Sequence, residues 1–179
     1  MSKVYTSAVV IIPPQEKWKP IQDIRKDYDR NINRWMPHIT LLYPFRPKKE
    51  YFKIENQFSE KCKSFKPFEV ILKKFKYFKH SRQNYTLWID PEPNYLLINL
   101  QAELLKLFPD CDDVNNYKHG FRPHLSVGQV KNKISMINII KSLQNTWMEM
   151  KFTLKELYFI SRDKDKSSKF EIAKRFLFA

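Results

Sequence analysis

Two short stretches share one pattern: Met36-Pro37-His38-Ile39-Thr40-Leu41-Leu42-Tyr43 and Arg122-Pro123-His124-Leu125-Ser126-Val127-Gly128. Each runs proline, histidine, aliphatic, hydroxyl residue, aliphatic. The chain has four histidines, and the other two, His80 and His119, have no hydroxyl residue two positions on. A Ser or Thr follows a histidine at this spacing by chance about one time in eight, so one match carries no weight. Two matches that also share the proline and both aliphatics do.

β-Formers dominate both stretches, and successive side chains on a strand face opposite sides. The pattern predicts strands over 37–43 and 121–130, with His38 and Thr40 on one face and Ile39 and Leu41 on the other. His124 and Ser126 repeat the arrangement. Two imidazoles, each escorted by a hydroxyl, suit acid–base chemistry on an oxyanion. The plain alternative, strand histidines packed into a polar gap, is disfavoured by the repeat.

Working outward, periodicity predicts strands over 4–12, 68–78, 85–89, 152–160 and 170–178 and helices over 15–29, 51–65, 94–108 and 133–148. Residues 31–35 read as a polar link, 79–84 as a basic loop, 109–118 as an acidic loop and 162–169 as a charged hairpin connection. The order strand, helix, histidine strand, helix, strand fills 4–78 and recurs over 85–160, with one strand added. This predicts a single pseudo-twofold α+β domain over 1–179. Its lobes are roughly 4–78 and 85–178, with strand exchange allowed between them, and the histidine strands meet in a central cleft.

Composition narrows the chemistry. At 179 residues, 42% apolar and 15% aromatic, the chain is long enough for one substantial core. Two glycines leave no Gly-rich phosphate loop. Cys62 and Cys111 form neither a metal-ligand spacing nor a disulfide framework, which suits a reducing compartment. The apolar run 8–12 is too short for a signal peptide, and no segment approaches a membrane span. The expectation is a cytoplasmic or nuclear protein without membrane partners. A formal net charge of +14 favours polyanions such as nucleic acid, although lysine is scattered along the whole chain.

The paired His-x-Thr/Ser motifs, His38-Ile39-Thr40 and His124-Leu125-Ser126, resemble those of the 2H phosphoesterase superfamily. The longer string His38-Ile39-Thr40-Leu41-Leu42-Tyr43-Pro44-Phe45 is similar to its 2′-5′ RNA ligase-like (LigT-like) branch. The resemblance implies a bilobal fold of two antiparallel sheets lining a cleft, with helices outside. It also implies a metal-independent phosphodiesterase, needing no cofactor, that acts on 2′,3′-cyclic phosphate RNA ends or related 2′-linked esters and leaves a 2′-phosphate. His38, Thr40, His124 and Ser126 are the residues it carries over as catalytic.

The chemistry supports this independently. Opening a cyclic phosphodiester needs a base for water and an acid for the departing ribose oxygen, roles histidine fills near neutral pH. Hydroxyls at 40 and 126 can donate to the non-bridging oxygens. Tyr43 and Arg122 flank the motifs as candidate substrate contacts. Trp88 and Tyr158 are candidate base-stacking rings, and Arg162 is a candidate phosphate contact, where the resemblance implies a basic residue. The partner expected is RNA or an oligonucleotide with a cyclic or 2′-linked phosphate, bound by a monomer. Three alternatives remain at this level: a 2′-5′ oligoadenylate phosphodiesterase, a 2′-5′ RNA ligase, or a non-catalytic RNA- or nucleotide-binding module. A metal-dependent hydrolase is disfavoured by the scatter of the histidines.

Overall fold

The computed structural model describes residues 2–116, 120–165 and 167–179; His119, expected in a turn, lies outside them. The elements are β1 (Ser7–Ile11), α1 (Trp18–Tyr28), β2 (Ile39–Leu42), α2 (Glu55–Lys63), β3 (Phe68–Lys79) and β4 (Asn84–Glu92). After these come α3 (Asn94–Leu105), β5 (Leu125–Lys131), α4 (Lys133–Thr146), β6 (Met150–Leu154), β7 (Glu156–Ser161) and β8 (Glu171–Leu177). The class is α+β.

Among the described residues the eight strands form one antiparallel sheet in the order β6-β3-β4-β5-β2-β1-β7-β8. Its centre is narrow. β2 meets β5 at a single pair, Ile39 with Leu125, so the two expected antiparallel sheets are two four-stranded halves hinged on the histidine strands. The halves exchange strands. β3 pairs with β4 and β6, whereas β7 and β8 join β1, so neither half is one continuous piece of chain.

Residues 152–160, expected as one strand, are two. The inward residues are Met150, Phe152 and Leu154 on one side of Lys155 and Leu157 and Phe159 on the other. That change of parity cannot occur in a straight strand with one buried face. The chain breaks at Lys155 instead, and β6 and β7 go to opposite halves of the sheet.

One face of the sheet holds the main core, which includes Ile39, Leu41, Leu125 and Val127 together with residues of the helices. The other face of the β2-β1-β7-β8 half carries a smaller cluster of Ala8, Val10, Ile12, Ile160 and Phe170, with Trp35, Tyr43 and Tyr158 packed on it. Strand β1 is buried at every position because it has a core on both sides.

Helix α1 lies against β5, and the contact is tight. A Cβ on Gly128 would sit 2.3 Å from the Tyr28 Cβ and 2.8 Å from the Tyr28 carbonyl carbon. Only a residue without a side chain lets the end of α1 cross β5 at that height.

Candidate active site

Both histidines sit one residue before their strands, at the starts of β2 and β5, instead of within them as the alternation suggested. Pro37 and Pro123 have no N–H to donate, so the ladder cannot begin earlier. The carbonyls of Met36 and Arg122 take a different partner. His38 Nδ1 donates to Met36 O at 2.7 Å, and His124 Nδ1 donates to Arg122 O at 2.8 Å. A carbonyl only accepts, so each Nδ1 carries the proton and each Nε2 is left as the basic nitrogen of the neutral ring. The two motifs therefore share a tautomer as well as a sequence.

The antiparallel pair Ile39–Leu125 sets His38 beside Ser126 and Thr40 beside His124. All four side chains are half-buried. The sheet's centre thus presents two imidazoles and two hydroxyls on one face.

Each imidazole rests on aromatic rings. His38 stacks on Trp35, with centroids 4.7 Å apart and planes 16° apart, and Trp35 also stacks on Phe170 at 3.7 Å. His124 meets Phe78 edge-on at 4.9 Å and Trp88 at 5.9 Å, and those two rings stack on each other. Burial against these rings penalises the imidazolium. It is the main cause that lowers His38 from 6.5 to about 4, with the Arg25 and His124 charges adding to it. Burial also lowers His124, with Arg122 adding to it. In the free protein both rings are neutral at pH 7.

A polar network ties the His38 side together. Arg25 and Asp29, one turn apart on α1 and its C-cap, form a buried ion pair at 2.8 Å. Arg25 also donates to Trp35 O at 2.9 Å, and Asp29 accepts from Asn31 N at 2.9 Å and Gln129 Nε2 at 3.2 Å. A bulge in β5 makes this reach work. Trp88 pairs with Ser126 and Thr86 with Gln129, so Val127 is an extra residue, and Ser126 and Gln129 share a face.

The remaining candidates are placed as follows. Tyr43 is half-buried and edge-on to Trp35, and its hydroxyl donates to Tyr5 O at 3.1 Å. The Tyr158 hydroxyl donates to Glu156 at 2.6 Å; burial and then that carboxylate push its pKa up. Trp88 is fully buried. It has no open face for a base and supports His124 instead. Arg122 is exposed, with its guanidinium 5.6 Å from the Trp88 ring centroid. Arg162 donates to the carbonyls of its own loop, Asp163 and Asp165, and lies over Phe170, so that loop and the Trp35 stack engage it.

Sequence reasoning did not single out Trp35, Phe78, Arg25, Asp29 or Gln129. The one local signal was the i,i+4 spacing of Arg25 and Asp29 on a predicted helix. Among the described residues no three His, Cys, Asp or Glu side chains form a metal-binding group, and no helix is long and apolar enough to cross a membrane.

A cavity of about 750 Å³ opens beside the histidine junction, lined by His38 and Ser126, the end of α1, and strands β4 and β5.

This fold, with paired histidine motifs meeting at its centre, defines a 2H phosphoesterase. Within that class the chain belongs to the 2′-5′ RNA ligase superfamily, whose family model matches residues 13–166. Solved structures share the fold at low identity. The Thermus thermophilus protein TT0787 is 15% identical with a TM-score of 0.62, covering 96% of this chain and 97% of its own. Escherichia coli LigT is 15% identical with a TM-score of 0.62, covering 99% of each chain. Kluyveromyces marxianus Usb1 is 12% identical with a TM-score of 0.53, covering 94% of this chain and 97% of its own. Comparison with curated proteins gives no match.

Proposed function

We propose that the protein is a metal-independent phosphodiesterase that opens 2′,3′-cyclic phosphate RNA ends, or cleaves related 2′-linked phosphodiesters. The observation that carries the reading is the matched pair of imidazoles. Each is held by Nδ1 on the carbonyl two residues back, which frees Nε2, and each stands beside the hydroxyl of the opposite strand. Escherichia coli LigT has been solved with 3′-AMP and with phosphate, which supports a phosphate-bearing ligand in this fold.

His38 is the base. It is the more strongly held neutral, and the Arg25 charge opposes its protonation. Its Nε2 takes a proton from water as the water oxygen bonds to phosphorus. His124 is the acid, protonated when the substrate's phosphate anion arrives beside it. Its Nε2 gives that proton to the 3′-oxygen as the P–O3′ bond breaks. The products are a 2′-phosphate and a free 3′-hydroxyl, and the two rings exchange protons with solvent to reset. Thr40 and Ser126 donate to the non-bridging oxygens, whose charge grows in the transition state.

A short RNA with a 2′,3′-cyclic phosphate end, incubated with EDTA and then mapped at its end group, tests this. The expected result is hydrolysis at an EDTA-insensitive rate with a 2′-phosphate product. Absence of turnover would remove this substrate in favour of a 2′-5′ oligoadenylate. Abolition by EDTA would overturn the metal-free mechanism.

A further inference from the structure

The catalytic pairs follow the pseudo-twofold of the sheet, but the cavity beside them does not. It touches His38 and Ser126 and runs off to one side, between the end of α1 and strands β4 and β5. Its volume of about 750 Å³ lies in the upper part of the range of small-molecule pockets, roughly 300–1,000 Å³. A cyclic phosphate at the histidines needs little of that space.

The lining has a definite chemistry. Asp29 is the one carboxylate in it among the described residues, and the buried Arg25 neutralises Asp29. At the rim, Arg30 and Lys131 are exposed and make no ion pair among the described residues. Asn31 and Asn84 bring side-chain amides, which can donate to and accept from base edges. His80 lines the same cavity, pinned by Nε2 to the Thr86 hydroxyl at 2.8 Å. Amides within and unpaired cations at the rim match a nucleotide whose strand continues outward.

We propose that this cavity binds single-stranded RNA, holding the nucleotide next to the reacting phosphate and passing the strand's following phosphates to Arg30 and Lys131. The inference rests on the phosphodiesterase reading and adds a substrate class to it: the end of an oligonucleotide, not a free cyclic mononucleotide. One wall of the pocket is the α1 crossing that Gly128 permits.

The test is fluorescence anisotropy with a labelled single-stranded RNA of about six nucleotides ending in an ordinary 3′-hydroxyl, which is not turned over. Wild type is compared with Arg30→Ala/Lys131→Ala and with a charge-matched control, Lys49→Ala/Lys141→Ala, whose lysines are exposed and outside the cavity. Loss of two phosphate contacts should weaken binding about tenfold and reduce the slope of log K against log salt by about 1.4. The control pair should lose little. Equal weakening by the control would mean that the +14 charge acts diffusely and would overturn the proposal, as would unchanged binding by the cavity pair. Binding is read without catalysis, so an inactive wild type would sink the phosphodiesterase reading while this experiment still decides the cavity.

Discussion

At the scale of single residues, the two histidines are matched in sequence and tautomer but not in environment. His38 is held down to about 4, while His124 is lowered from 6.5 by burial and Arg122. Catalysis by the free enzyme requires neutral His38 and protonated His124. The acid limb of kcat/KM therefore falls near pH 4, and the alkaline limb falls at the depressed pKa of His124, so the optimum lies on the acid side of 6.5. In kcat the bound phosphate anion raises His124, and the alkaline limb moves up. A pH–rate profile checks this, and the single variants assign the limbs. His38→Ala should remove the acid limb and His124→Ala the alkaline one. A kcat/KM optimum above about pH 8 would contradict the assignment. These residues were legible because the signal is local: a two-residue spacing on a strand needs no knowledge of the fold. Their environment was not. Trp35 read as part of a polar link, and only the folded chain stacks it on His38 and Phe170.

At the scale of elements, the crossing of α1 over β5 places the pocket wall, and it depends on one glycine. The Gly128 contact is with the Tyr28 backbone as well as its Cβ, so no flexible side-chain end can swing away. Gly128→Ala should cost about 1–3 kcal/mol, as overpacking does, read as a lower Tm in thermal denaturation. An unchanged Tm would mean that α1 can lift from β5 freely. Helix and strand positions followed closely from periodicity, apart from β6 and β7, where the parity change at Lys155 was written in the sequence. The Gln129–Asp29 hydrogen bond was not readable in advance. Its partners lie 100 residues apart, and the β5 bulge that aims Gln129 has no sequence signature of its own.

At the scale of the whole molecule, the sheet is two halves joined at one residue pair, and each half brings one histidine and one hydroxyl to the join. The internal repeat foreshadowed this, but the exchange of β3 and β7 between halves depends on strand pairing that sequence alone does not fix. The exchange links each half to both ends of the chain, so the two motifs are held by one structure and should act as a unit. The direct test is the turnover of a cyclic-phosphate RNA by His38→Ala, His124→Ala and the double variant, each first confirmed as folded. Each single change should cost about 10²–10⁴-fold in kcat, and the double change little beyond the worse single, because residues of one catalytic unit are not additive. Near-wild-type turnover by either single variant would contradict the two-histidine mechanism.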